Sequence, residues 1–169
     1  MKKILIMMLM LAPMSIFAQQ KFAHFNMANV LPEMPEYQAA STDIQKLGQQ
    51  YQVELERLQK EYQTKAEELQ RLSNDTSTAQ AILQSKATDL QKMQQSIEDF
   101  YQASQQDMQK QQAEKMEAIQ TKILAAIKKV GEAGNYVYVV DISGGAIPFV
   151  NEALSTDVTA QVKAELGIK

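Results

Sequence analysis

The sequence predicts an α+β protein: a long antiparallel helical hairpin, or coiled-coil arm, projecting from a small β-strand body that association between copies completes. Three observations point there. Apolar residues recur at helical spacing from Ile44 to Val130. The small polar run "SNDTST" at residues 73–78 splits that stretch in two. Near the end of the chain, "NYVYVVDISGG" at residues 135–145 interrupts the helical pattern with β-formers, and its apolar side chains fall on both alternating faces. Such a run reads as a strand buried on both sides.

The chain of 169 residues opens with "MKKILIMMLMLAPMSIFAQQ". Lys2 and Lys3 precede an apolar run, Ile4 to Ala12, that is too short to span a bilayer, and small residues lead to Ala18. These are the three parts of a secretory signal peptide, residues 1–18, with cleavage after Ala18. The chain has no cysteine, which excludes a lipid-modified cysteine and leaves packing, within or between chains, to hold the exported protein together. One histidine and no thiol make a metal site improbable. The formal charge is −3, and loss of Lys2 and Lys3 takes it to −5. That balance gives no reason to expect binding to nucleic acid or strong binding to an anionic membrane.

After the signal, "KFAHFN" reads as a short strand, and "MANVL" as one helical turn with Asn26 as its cap. Pro35 and Glu36 suit the first turn of a long helix over residues 35–72. Its apolar stripe is Ile44, Leu47, Tyr51, Leu55, Leu58, Tyr62, Ala66 and Leu69, an eleven-residue repeat. A second stripe runs through Leu83, Ala87, Leu90, Ile97, Tyr101, Met108, Ile119, Ile123, Ala126 and Val130. The polar residues Gln94, Ser104 and Gln112 interrupt it, so its middle should be weakly packed. Gly131 and Gly134 carry the stop signal. The turn "SGG", a third strand "AIPFV" at residues 146–150, and a last helix capped by residues 155–157 complete the chain. The expected domains are thus a body of residues 19–40 and 131–169 and an arm of residues 41–130 with its tip near 73–78.

Three short strands and two short helices cannot cover both faces of Tyr136, Val137, Tyr138, Val139 and Val140. The missing surface has to come from further copies. These residues, with Phe22 and Phe25, are the expected oligomerisation surface.

The order of the short motifs "NM" (26–27), "PEYQAA" (35–40), "VYVVD" (137–141) and "TDVTAQV" (156–162) around a helical hairpin resembles the Skp/OmpH family of periplasmic chaperones. The resemblance covers essentially the whole chain after the signal. It implies a periplasmic homotrimer with a shared strand body. Its arms surround a cavity that holds unfolded outer-membrane proteins without ATP. One departure stands out. The well-known members are strongly basic, whereas residues 44–130 carry 12 Lys and Arg against 12 Asp and Glu.

No catalytic constellation, cofactor motif or metal-ligand spacing occurs. Gly144 and Gly145 follow a strand but lead into no helix, against a phosphate loop. Asp141 reads as a strand-end residue that bonds its turn. At about 100° per residue, Val53 points away from the first stripe, and Met93 and Phe100 lie about 80° and 100° from the second. These three are the expected client contacts, since methionine-containing, loosely packed surfaces suit promiscuous binding. The competing expectation is a structural coiled-coil spacer or adaptor of the cell envelope.

Overall fold

The computed structural model describes residues 20–168. The signal peptide read at residues 1–18 lies outside the described residues. In chain order the elements are β1 (Lys21–Phe25), α1 (Met27–Val30), a 3-10 turn (Leu31–Glu33), α2 (Pro35–Ser73), α3 (Gln80–Gly134), β2 (Tyr136–Asp141), β3 (Ser155–Asp157) and α4 (Thr159–Glu165). The fold is α+β, with two long helices and one small sheet. Its residues group into two units, one of residues 20–37 and 119–168, the other of Gln38–Ala118.

In the first unit the sheet order is β2-β1-β3, and both neighbours run parallel to β1. The strand buried on both faces is therefore β1, whose consecutive residues Ala23, His24 and Phe25 are all buried. β2 is an edge strand, with Val137 and Tyr138 exposed within the chain. This agrees with the expectation that one chain cannot cover both faces of β2, and it adds that the central, fully covered strand is β1. The third strand differs from the expected one. Residues 146–150 form no strand, and the short β3 takes the place expected of a helix cap. The reason is topological. β1 has two edges, β2 and β3 fill them, and Pro148 has no N–H to offer a ladder.

The core of this unit joins residues far apart in sequence: Val30 and Met34, Ile119, Ile123 and Ala126, and Val158 and Val162. Ile119, Ile123 and Ala126 step by four and three, one face of α3, as the apolar stripe required. α3 runs through Gly131 and ends at Gly134, and Asn135 takes the left-handed conformation, φ 52°, that turns the chain into β2. Gly134 has a steric role there. A Cβ on it would sit 2.0 Å from the Tyr136 ring.

Asn26 does not cap α1; its side-chain Oδ1 is buried and accepts no hydrogen bond. The cap comes from the other end of the sequence. Asp141 Oδ1 accepts the N–H of Met27 at 3.1 Å and that of Ser143 at 2.9 Å, while the Ser143 hydroxyl donates to Oδ2. Thr159 Oγ1 accepts the Asn26 N–H at 3.1 Å and itself donates to Asp157 Oδ1 at 2.6 Å. Three of the short sequence motifs thus meet in one hydrogen-bonded knot.

Burial pushes the Asp141 carboxyl up, but the N–H groups of Ser143 and Met27 and the Ser143 hydroxyl outweigh it and hold the group below its ordinary value. The hydroxyl and N–H of Thr159 hold Asp157 below its ordinary value too. A depressed carboxylate contributes stability above its unfolded pKa and loses it as pH falls through the folded value. The first unit should therefore weaken in acid below about pH 4. Asp141→Ala should cost about 1.5–3 kcal/mol at pH 7, and that difference should shrink as pH falls from about 4 toward about 2. Denaturant unfolding of both proteins at the two pH values checks this.

Candidate functional site

The second unit contains most of the helical hairpin. α2 and α3 are antiparallel, since partners rise along one helix as they fall along the other: Asp43 pairs with Lys115 at 2.9 Å, Tyr51 with Asp107, and Glu68 with Lys86 at 3.0 Å. The α2 stripe read from sequence is the packed one; Ile44, Leu47, Tyr51, Leu55, Leu58, Tyr62, Ala66 and Leu69 are all half-buried. None is fully buried, as expected where only two helices meet.

The α3 stripe is rotated from the expected one. From Leu83 to Asp107 the residues with reduced exposure are Leu83, Lys86, Leu90, Met93, Ile97, Phe100, Ser104 and Asp107, at alternating steps of three and four, so Leu83, Leu90, Ile97 and, beyond them, Met108 of the expected stripe keep their place. Ala87, Gln94, Tyr101 and Gln112 lie outside the packed seam and are exposed. The decisive contact is aromatic. Phe100 meets the Tyr51 ring edge to face at 5.9 Å, and the Tyr51 hydroxyl donates to Asp107 Oδ2 at 2.6 Å. That acceptor carboxylate holds the Tyr51 phenol above its ordinary pKa. Ser104, read as a weak point, is only 4% exposed. Its small side chain satisfies itself on the Tyr101 carbonyl, at 2.8 Å, one helical turn from Phe100. The premise that Met93 and Phe100 point away from the hairpin is thus corrected. They face the seam, and Val53, 66% exposed, is the one of the three that stands free. It lies in a shallow groove with Lys46, Gln49, Gln50 and Glu54.

In the first unit the notable surface is the outer edge of β2. The β1–β2 register slips after Lys21, so Val137 has no partner on β1. Such a bulge twists a strand and turns out its extra residue. Tyr138 pairs with Phe22 across the strands, rings stacked at 6.4 Å, and is 65% exposed. Of the other residues expected to mediate association, Phe25 is 2% exposed and belongs to the core of the single chain. Tyr136, Val139 and Val140 are half-buried, and Val139 lies against Gly131 of α3. Sequence reading missed Leu124, Phe149 and Leu154, which are also exposed in this unit. Their signal was present as large apolar residues off any stripe or in a loop.

Ionisable groups assemble no site. Among the described residues no group of three or more side chains is placed to hold a metal ion. His24 is buried and shares a 2.9 Å hydrogen bond with Ser155 Oγ, a structural role between β1 and β3.

A model of the family of OmpH-like outer membrane proteins matches residues 21–166. The chain belongs to the OmpH-like family. A comparison with curated proteins finds no significant match. Among solved structures, the chain is similar to an OmpH-like protein of Caulobacter crescentus CB15 proposed to be an outer membrane chaperone. The TM-score is 0.74 at 20% identity, over 88% of this chain and 85% of that one. That likeness establishes a shared fold.

The corrected seam makes a direct prediction. Phe100→Ala should destabilise the hairpin by about 1–2 kcal/mol, part of the value for full burial of a Phe side chain. Tyr101→Ala should change stability by no more than about 0.5 kcal/mol. Amide exchange of the two variants decides between the phases, and the reverse order would restore the stripe through Tyr101.

Proposed function

We propose that this OmpH-like protein is an exported, periplasmic holdase. It acts without ATP, assembles as a homotrimer through the β2 edge, and holds unfolded outer-membrane proteins between helical hairpins so that they do not aggregate. The observation that carries this reading is the pairing of an uncovered apolar strand edge with a hairpin whose helices bury nothing completely except Ser104 within Gln38–Ala118.

An exposed strand edge is a template for pairing, and a soluble protein covers it. Val137 and Tyr138 on β2, with Phe22 stacked beside Tyr138, supply apolar area for such a contact. A cyclic arrangement that joins this edge to a different surface of the next copy closes into a ring. Tyr136, Val139 and Val140 would gain cover in the assembly, and Phe25 supports it from the core. On the hairpin, Val53 is free to touch a client. Met93 and Phe100 reach one only where the two helices part.

Two measurements test the reading. Native mass should report a trimer, and Val137→Asp, at a position with no strand partner in its own chain, should lower the mass to that of a monomer while helicity persists. A trimer unchanged by this substitution would remove the β2 edge from the interface. Dilution of a urea-denatured outer-membrane barrel protein into the wild-type protein should suppress light scattering. Undiminished aggregation would overturn the holdase assignment.

A further inference from the structure

A strip along α3 stands beside the hairpin seam and carries no charge. At about 100° per residue, Ala87, Gln94, Tyr101, Gln105 and Gln112 fall within a sector about 40° wide. All five are exposed. No Asp, Glu, Lys or Arg enters that sector between Leu83 and Gln112. Glu98, about 20° beyond its edge, accepts a hydrogen bond from the Gln102 amide at 2.8 Å. The carboxamides of Gln94, Gln105 and Gln112 make no hydrogen bond among the described residues, whereas Gln52, Gln95 and Gln102 are each tied to a carboxylate on their own helix.

We propose that this strip is the surface on which the hairpin holds an extended segment of unfolded polypeptide. The inference rests on the holdase reading and names the contact face. A carboxamide presents both a donor and an acceptor, the same pair that each peptide group presents. Tyr101, 48% exposed at the centre of the strip, adds a flat apolar face with a polar tip. The strip spans about 38 Å, the length of roughly eleven residues of extended chain. Hydrogen bonds of this kind are individually weak in water and indifferent to side-chain sequence, so a client is held by many of them and released without an energy source.

Charge points the same way. Gln38–Ala118 contains nine Lys and Arg against thirteen Asp and Glu. Asp43, Glu54, Glu61 and Glu68 are paired with Lys115, Arg57 and Lys86. The acidic excess of four gives no attraction to a polyanion, and the strip itself holds no charge to select a polycation. Binding of a denatured chain should therefore change by less than about threefold between about 50 mM and 500 mM NaCl, a range over which attraction between exposed charges is largely screened.

The test places carboxylates on the strip. In Gln94→Glu/Gln105→Glu/Gln112→Glu, a bound backbone would desolvate three charges, and the excess of protein needed to keep a denatured barrel protein soluble should rise about tenfold. The control Gln95→Glu/Gln106→Glu/Gln109→Glu adds the same charge on the adjoining face and should stay within about twofold of wild type. Tyr101→Ser should weaken holding without new charge. Circular dichroism and native mass should be unchanged in all three. Equal loss in both triple variants, no loss in either, or steep salt dependence of the wild type would overturn the strip while leaving the holdase reading in place. Failure of the wild-type protein itself to suppress aggregation would remove both.

Discussion

The burial of β1 is the constraint on which the first unit depends. Ala23, His24 and Phe25 lose both faces to the core, so their peptide groups must find partners on both edges. The partners come from the far end of the sequence, β2 on one side and β3 on the other. The same demand continues beyond the strand. The first free N–H groups after β1, those of Asn26 and Met27, are taken by Thr159 and Asp141. A strand of five residues thus fixes where three remote segments lie, and α1 starts where Asp141 receives it.

The hairpin obeys a looser rule. Two helices can only half-bury a stripe, so no apolar side chain of Gln38–Ala118 is removed completely from water. Specificity then falls to a few sites where geometry is strict. Tyr51 is one, with Phe100 at its edge and Asp107 at its hydroxyl. Polar residues in the seam are not defects there. Lys86 and Asp107 each find a partner across the helices, and Ser104 is tolerated because it is small and bonds its own helix. The surface ion pairs contribute little individually. Their effect is to pair part of the acidic groups on the outer faces with neighbouring bases.

The sequence by itself determined the α+β class, the α2 stripe from Ile44 to Leu69 and the role of Asp141 as a turn-bonding residue. Each rests on local information: a period, a break, or a side chain that bonds a nearby N–H. Only the tertiary structure decided which strand is central, which strand fills its second edge, and which face of α3 meets α2. Phe100 and Tyr101 are adjacent aromatics, and helical spacing accommodates a stripe through either one; the Tyr51 ring, about fifty residues away in sequence, selects Phe100. That one chain cannot cover both faces of β2 was legible in the sequence, but which residues its own chain partly covers, Val139 and Val140, and which it leaves exposed, Val137 and Tyr138, follows only from the packing. Asn26 looked like a cap for the same reason: the true cap, Asp141, reaches Met27 across the fold, and local spacing carries no trace of it.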